Sequence, residues 1–250
     1  MILQVDGMEF SYPSKSVLKN IVFQVNKGEV VSVLGINGAG KSTLLRCINK
    51  ILKPQKGTVL IDRFNLKQLD DVGIAQKMAY VPQNTISNYM TVFDTVLLGR
   101  KPYIKWEASK RDLEITSNIL KLMQLEKYAL RNTNELSGGE LQKVIIARAL
   151  VQEPKVLLLD EPANNLDLKN QIEVMKIIRD ISRTQNISAI VVMHDLNLTL
   201  RFSDKFIMLK DGKIFSEGGS KVINSRNIRE VFDVNAYVDN YNGIPIVVLE

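Results

Sequence analysis

The stretch "EVVSVLGINGAGKSTLLRCINKIL", residues 29–52, combines three signals in a fixed order. The apolar run at 29–35 is typical of a strand buried on both faces of a parallel sheet. Residues 35–42 match the pattern G-x-x-x-x-G-K-[ST]. Residues 41–52 have helical spacing, and Pro54 is expected to stop that helix. This order of strand, glycine-rich loop and helix predicts an α/β fold.

The glycine-rich loop suits the binding of phosphate groups. Its three glycines allow backbone amides to converge on phosphate oxygens, and the following helix adds the positive end of its dipole. Lys41 is expected to reach the β- and γ-phosphates, and Ser42 can ligate Mg²⁺. We therefore predict a nucleotide site formed by Gly35, Asn37, Gly38, Ala39, Gly40, Lys41, Ser42 and Thr43.

A second apolar run ends in two carboxylates, in "KVLLLDEP" at residues 155–162. Ligand sites of open α/β sheets lie at the carboxyl ends of the strands. Asp160 is therefore a candidate Mg²⁺ ligand, and Glu161 is a candidate to orient or deprotonate an attacking water. The alternative is an acidic pair that merely caps the following helix. The phosphate loop in the same chain makes hydrolysis the better interpretation.

The remaining patterns predict one domain over 1–250, with a core at 1–85 and 154–250 and an inserted helical lobe at 86–153. Residues 2–12 and 17–25 read as antiparallel strands on a sheet edge, and 205–218 as a hairpin around Asp211–Gly212. In the lobe we expect a helix at 91–99 with a glycine stop. A second helix, at 109–125, is expected to place Ile115, Ile119 and Leu122 on one face. The tail is expected to hold a helix at 225–232 and a final strand at 243–250.

Composition excludes several classes of protein. The sequence has 33 basic and 27 acidic residues, and the basic ones are spread along the chain, which favours a solvated basic surface over a nucleic-acid interface. No apolar run approaches the roughly 18 residues of a membrane span, and the first ten residues do not resemble a signal peptide. The single cysteine, Cys47, excludes an internal disulfide framework and fits a reducing compartment.

A further motif lies in "NELSGGELQKVIIARAL", residues 134–150. Ser137, Gly138 and Gly139 begin a helix without bulky side chains, and such a helix start can bind an anion. A chain with one phosphate loop needs no second phosphate site of its own. A two-fold dimer in which Ser137–Gly139 faces the partner's nucleotide explains it, and a simple glycine-rich helix cap is the alternative.

Together these features resemble the ATP-binding cassette (ABC) family over essentially the whole chain. The resemblance rests on the phosphate loop, "LSGGE" (136–140), "VLLLDEP" (156–162), "NNLD" (164–167), "YVPQ" (80–83) and the only histidine of the chain, His194. The sequence departs from the common pattern at Glu140, where glutamine is usual, and at "NN" in "NNLD", where small residues are more common.

The resemblance implies roles for further residues. Tyr12 would stack on adenine, and Gln83 would link Mg²⁺ and the attacking water to the helical lobe. Asp167 would communicate across the dimer, and His194 would contact the γ-phosphate, although a lone histidine is more often a structural residue. The implied cofactors are ATP and Mg²⁺, and the implied activity is ATP hydrolysis by a pair of cassettes.

Two segments resemble one branch of the family, the ATPases that serve importers of iron–siderophore complexes, haem and cobalamin. They are "VLLGRKPYI" (96–104) and residues 194–214. This resemblance implies a permease partner docked at 84–105, indirect action with a solute-binding protein, and a cytoplasmic position at the inner face of the membrane. The alternatives are a soluble ABC ATPase such as an iron–sulfur cluster assembly ATPase, and a nucleotide-gated binding module without turnover, against which Glu161 argues.

Overall fold

The computed structural model describes residues 1–83 and 89–250. Its strands, in chain order, are β1 (Leu3–Tyr12), β2 (Lys15–Val25), β3 (Val30–Leu34), β4 (Lys56–Ile61), β5 (Phe64–Asn65), β6 (Met78–Val81), β7 (Val156–Asp160), β8 (Ser188–Val192), β9 (Lys205–Lys210), β10 (Lys213–Gly218), β11 (Ala236–Tyr241) and β12 (Ile244–Leu249). Its α-helices are α1 (Lys41–Ile48), α2 (Asp71–Ala75), α3 (Val92–Leu97), α4 (Lys110–Leu122), α5 (Gly138–Leu150), α6 (Leu168–Gln185), α7 (Leu196–Phe202) and α8 (Ser225–Phe232).

The central sheet has the strand order β10-β9-β3-β8-β7-β6. Adjacent strands of this sheet are parallel, except that β10 pairs antiparallel with β9. Every residue of β3, β7 and β8 is buried, as their apolar runs predict. In the register of the sheet, Val192 of β8 lies beside Val33 of β3 and Asp160 of β7. The carboxyl ends of these three strands therefore meet at one edge, where the glycine-rich loop, Glu161 and His194 follow.

A separate antiparallel sheet has the order β2-β1-β4-β5. The predicted antiparallel pairing of the two N-terminal strands is confirmed, and β2 lies at the edge of their sheet. The second edge of β1 pairs with β4, which closes these strands into their own sheet. Its buried side chains share a hydrophobic cluster with Leu44 and Leu45 of α1. This sheet therefore supports the helix that begins at the glycine-rich loop.

Helix α1 ends at Ile48, before the predicted end at residue 52. Lys50 adopts a left-handed φ of 59°, and its backbone N–H donates to the carbonyl of Cys47. Because this turn ends the helix, Pro54 is not the residue that stops it.

The buried face of α4 differs from the predicted one. Asp112, Thr116 and Leu120 are buried, whereas Ile115 and Ile119 are only partly buried and Leu122 is 49% exposed. Asp112 can be buried because it pairs with the buried Arg100, whose Nε lies 2.8 Å from Asp112 Oδ1. The apolar spacing therefore marked the flank of the buried face, and polar residues occupy its centre.

Gly99 was predicted to stop the helix that begins after Thr91. The Thr91 cap is confirmed, since its Oγ1 accepts from the backbone N–H of Asp94. Gly99 does not end the helical path, because a 3₁₀ turn continues over Leu98–Arg100. A Cβ at Gly99 would lie 2.0 Å from the carbonyl oxygen of Arg148 in α5. The glycine is required for this close approach between the two helical segments.

We expect Gly99→Ala to destabilise the fold by about 2 kcal/mol or more, because the new methyl group forces α5 away. Urea unfolding of the purified variant measures this loss. Gly219→Ala is the matched control, since Gly219 has a φ of −71° and no atom within 4 Å of its added Cβ. Equal stability of the two variants would show that the helices separate without penalty.

The C-terminal region contains two hairpins. The predicted one is confirmed: β9 and β10 meet at Asp211 and Gly212, which have φ values of 51° and 76°. The predicted helix at 225–232 is also confirmed as α8. The final strand was predicted, but its partner β11 was missed, although Asn242–Gly243 is a hairpin signal in the sequence.

The predicted boundary between core and lobe at residues 85 and 86 lies outside the described residues. The lobe helices α3, α4 and α5 share one hydrophobic cluster with the central strands β7 and β8. The division at 86–153 stays a prediction. Over residues 1–83 and 89–250, no helix combines the length and apolar character required to cross a membrane.

Candidate nucleotide-binding site

The glycine-rich loop wraps around the side chain of Lys41. Gly35 and Gly40 have φ values of 149° and 103°, a region that favours glycine, and a Cβ at Gly35 would lie 2.5 Å from the carbonyl oxygen of Leu209. Lys41 begins α1 and is 5% exposed. Its Nζ donates to the carbonyl oxygens of Gly35 at 2.8 Å and Ile36 at 3.0 Å. The loop thereby holds an ammonium group at the start of a helix.

Burial lowers the pKa of Lys41, and the charges of Glu161 and Asp160 oppose that shift by raising it. The fold therefore holds this ammonium in a partly desolvated place, beside two carboxylates. An additional anion in the cavity above the loop would compensate the charge.

Asp160 is fully buried and accepts two side-chain hydrogen bonds. Ser42 Oγ donates to Oδ1 at 2.8 Å, and the hydroxyl of Tyr80 donates to Oδ2 at 3.1 Å. The predicted pair of Ser42 and Asp160 is thus brought together. A hydroxyl beside a carboxylate supplies the hard oxygen donors that Mg²⁺ prefers, so this pair fits the ion. The sequence did not predict that Tyr80 contacts Asp160, because it does not show that β6 lies beside β7 in the sheet.

Glu161 is the centre of a cluster of side-chain donors. Gln83 Nε2 and Asn164 Nδ2 donate to its Oε2 at 2.6 and 2.9 Å, and His194 Nε2 lies 2.6 Å from its Oε1. Glu161 has a left-handed φ of 53°, which turns its side chain out of the path of β7. Three segments that are far apart in sequence therefore converge on one carboxylate.

A cavity of about 710 Å³ opens above these groups. This volume is within the range of sites for small ligands. Tyr12 lies at its rim, 40% exposed, with its ring edge-on to Phe10 at a centroid distance of 4.9 Å. The cavity is lined by Tyr12, Lys15, Val17, Asn37, Gly38, Gly40, Lys41, Ser42, Thr43, Gln83, Glu161, Asn164 and His194.

Sequence reasoning missed Lys15, Val17 and Asn164 among the lining residues. Lys15 and Val17 belong to β2, whose approach to the loop is set by the separate sheet. Asn164 belongs to the unusual "NN" of "NNLD", for which the family resemblance implies no role.

The predicted segment Ser137–Gly139 and Asp167 do not line this cavity. Ser137 caps α5 and forms a capping box with Glu140, whose Oε2 accepts from the Ser137 backbone N–H at 3.0 Å. Asp167 caps α6 and also accepts from Asn170 Nδ2 at 2.8 Å. A Cβ at Gly139 would lie 2.6 Å from Asn170, so the two helix starts are in contact.

Glu140, where the sequence departs from the common family pattern, forms the capping box with Ser137. A hydrogen bond from Tyr128, together with those from the backbone and side chain of Ser137, lowers the pKa of Glu140 from 4.5 to about 2. Because the folded pKa is depressed, this carboxylate stabilises the fold above pH 4.5, and the contribution is lost as the pH falls from about 4.5 toward 2. Glu140 therefore supports the helix start in its ionised form.

The fold and the site define a nucleotide-binding subunit of the ABC type. A family model described as ABC transporter matches residues 18–164, which is more than half of the chain. The chain belongs to this family, and it is an ABC transporter ATP-binding subunit with the ATPase activity characteristic of that family.

The chain is also similar to individual ABC transporter ATP-binding proteins. It is 71% identical over 248 residues to an uncharacterised ABC transporter ATP-binding protein of Methanocaldococcus jannaschii, covering 99% of this chain and 98% of the relative. It is 32% identical to the petrobactin import ATP-binding protein FpuD of Bacillus anthracis, covering 98% and 92%. Other relatives, at 33% and 37% identity, are named for import of cobalamin and of phosphonates.

Two solved structures share the fold. One is described as an inward-facing metal-chelate type ABC transporter; its chain gives a TM-score of 0.87 at 28% identity, covering 100% of this chain and 96% of that one. The other is the dimeric cassette MJ0796 bound to ADP and phosphate. It gives a TM-score of 0.75 at 30% identity, covering 87% and 98%.

Proposed function

We propose that this chain is the subunit whose ATP hydrolysis powers an ABC importer for iron–siderophore, haem or cobalamin-type solutes. The observation that carries the hydrolytic part is Glu161, held by three side-chain donors beside the cavity above the phosphate loop. The importer branch is supported by the petrobactin import relative and by the likeness to the metal-chelate type transporter.

In this proposal the residues of one subunit divide the chemistry among them. Lys41 and the loop amides bind the β- and γ-phosphates, and Tyr12 stacks on adenine. Ser42 and Asp160, with Gln83, would hold Mg²⁺, which neutralises charge on the phosphate oxygens. Glu161 removes a proton from the attacking water, while His194 orients toward the γ-phosphate. Catalysis is then mainly positioning and electrostatic stabilisation.

We further propose that two cassettes close around two ATP molecules. Ser137–Gly139 lies outside the cavity of its own chain, which supports a role of its amides toward a different nucleotide. The ADP- and phosphate-bound dimer of a related cassette supports such a pairing. Asp167, next to the start of α5, would transmit the state of one site to the other. ATP then acts as a ligand with higher affinity for the closed dimer.

The permease is proposed to dock on residues 84–105, which places the chain at the cytoplasmic face of the membrane. A solute-binding protein would act on the other side of the permease, and no nucleic acid takes part. Residues 84–88 of this segment lie outside the described residues. In the described part, Tyr89 is 87% exposed and Leu98 is 46% exposed, so apolar side chains are available to a partner.

Affinity purification from detergent-solubilised membranes tests the assignment. We expect the tagged chain to retain an integral-membrane permease and Leu98→Glu to lose it, because a charge on the docking surface must be desolvated. Leu122→Glu is the matched control: Leu122 is similarly exposed, at 49%, but lies outside the segment. Both variants should bind ATP normally.

Transport by the purified complex in vesicles then distinguishes among the candidate solutes. ATP-dependent uptake of an iron–siderophore complex, haem or cobalamin supports the proposal, and uptake of phosphonates alone would reassign the solute. Recovery of soluble assembly factors in place of a permease would favour the iron–sulfur assembly ATPase.

A further inference from the structure

Asn164 is tied to Glu161 through both its backbone and its side chain. Its backbone N–H donates to the carbonyl of Glu161 at 3.1 Å, which closes a turn over residues 161–164. Its side-chain Nδ2 donates to Glu161 Oε2 at 2.9 Å. Its Oδ1 accepts from the backbone N–H of Asn165 at 3.0 Å, which fixes the orientation of the amide. Asn164 therefore presents a donor to the carboxylate in a defined direction.

The other two donors to this carboxylate belong to different parts of the fold. Gln83 follows β6, and His194 follows β8. Both line the cavity and have polar groups that the bound nucleotide can recruit. If they turn toward the phosphate and its metal, they leave Glu161. Asn164 lines the cavity as well, but its backbone hydrogen bond holds it in the same turn as Glu161, so a shift of that turn moves both residues together.

We propose that Asn164 is a positioning residue for hydrolysis: its amide keeps the Glu161 carboxylate aimed at the attacking water after Gln83 and His194 have turned to the nucleotide. This inference rests on the proposed role of Glu161 as the base. It assigns a function to the unusual asparagine of "NNLD", which the family resemblance leaves without one.

Two substitutions separate this role from a purely structural one. Asn164→Ala removes both the donor and the acceptor of the side chain. Asn164→Asp keeps the shape and the Oδ1 acceptor for Asn165, removes the donor, and places a second carboxylate against Glu161. A positioning role predicts that Asp is at least as damaging as Ala. A structural role in the turn predicts that Asp is tolerated and Ala is not.

The test measures kcat and KM for ATP at saturating Mg²⁺, with the thermal melt of each variant and the fraction of ATP-bound dimer on a sizing column. We expect kcat of Asn164→Ala to fall about tenfold with KM within about twofold, since one charge-assisted hydrogen bond is lost. The kcat of Asn164→Asp should fall at least as far as that of Asn164→Ala at saturating ATP. Both should retain more ATP-bound dimer than the unmodified protein, because slower hydrolysis prolongs that state.

Asn165→Gly is the matched control. Asn165 adjoins Asn164 and has a left-handed φ of 59°, which glycine accepts, and it is not among the described residues that line the cavity. We expect its kcat to be unchanged. Unchanged kcat in both Asn164 variants, or loss in Asn164→Ala alone, would overturn the inference.

Glu161→Gln in the same assay distinguishes the two levels of the proposal. If Glu161→Gln hydrolyses ATP normally, the proposed role of Glu161 fails and the inference fails with it. If Glu161→Gln is inactive but the Asn164 variants are normal, the inference alone fails.

Discussion

Replacement of Glu161 by glutamine is expected to reduce ATP hydrolysis by about a thousandfold, since removal of a positioned general base has an effect of this order. ATP binding should persist, because the phosphate loop and Lys41 are unchanged. The variant is therefore expected to accumulate as a stable ATP-bound dimer on a sizing column, while the nucleotide-free protein does not.

The structure explains why this substitution leaves the fold intact. Glu161 Oε2 accepts from Gln83 and Asn164, and Oε1 faces His194 Nε2. A glutamine can direct its carbonyl oxygen to the first two donors and its amide to the histidine, whose ring can adopt the tautomer that accepts. The hydrogen-bond network survives, and only the capacity to take a proton is lost.

Glu230→Gln is a suitable control for the change from acid to amide. Glu230 lies in α8, pairs with Lys210 at 3.0 Å, and does not line the nucleotide cavity. Its turnover should equal that of the unmodified protein. Normal hydrolysis by Glu161→Gln would show that Glu161 is not the base. A variant that stays monomeric and free of ATP would show that the substitution impairs ATP binding instead.

The sequence predicted those site residues whose positions are determined by the parallel sheet. Strands β3, β7 and β8 are continuous apolar runs, so each could be recognised singly. Because parallel strands point the same way, the polar groups that follow them must meet at one edge. The contact between Ser42 and Asp160, 118 positions apart in sequence, follows from this rule.

The features that the sequence did not predict have a different origin: they depend on which residues become neighbours in the folded chain. The centre of the buried face of α4 is polar because Arg100 pairs with Asp112, and apolar periodicity cannot detect an ion pair. Tyr80 reaches Asp160 only because β6 lies beside β7. Similarly, the tightest constraint on Gly99 comes from the carbonyl of Arg148, which the local sequence does not show.

The proposed second half of each nucleotide site lies beyond any single chain. Ser137–Gly139 is a well-capped helix start in this structure, and it lies outside the cavity of its own chain. Its proposed contact with a partner's nucleotide is supported by the family resemblance and by the related dimeric cassette bound to ADP and phosphate. The dimer prediction for Glu161→Gln is therefore also a test of this segment.

Lys41→Met is expected to lower ATP affinity by about two orders of magnitude, because the substitution removes a charged donor to the phosphates. Without nucleotide, we expect the variant to melt at the same temperature as the unmodified protein or higher. Thermal melts with and without saturating ATP, combined with calorimetric titration of ATP, measure both effects.

The expected gain in stability follows from the environment of the ammonium group. Burial lowers the pKa of Lys41, which outweighs the attraction of Glu161 and Asp160. The unfolded chain therefore binds this proton more tightly than the folded protein does, so at neutral pH the charge opposes folding, and this penalty fades only as the pH rises through the lowered pKa. Methionine keeps the apolar stem and removes the charge.

Lys15→Met separates a specific phosphate contact from a general change in charge. Lys15 lines the same cavity but is exposed, so its loss should weaken ATP binding less than tenfold. A Lys41→Met protein that melts well below the unmodified one would mean that the two hydrogen bonds to Gly35 and Ile36 outweigh desolvation. Unchanged ATP affinity would contradict the placement of phosphate in the loop itself. If both expectations hold, the loop stores an unfavourable charge in the empty state that bound ATP compensates, which is a physical reason for the subunit to respond to nucleotide.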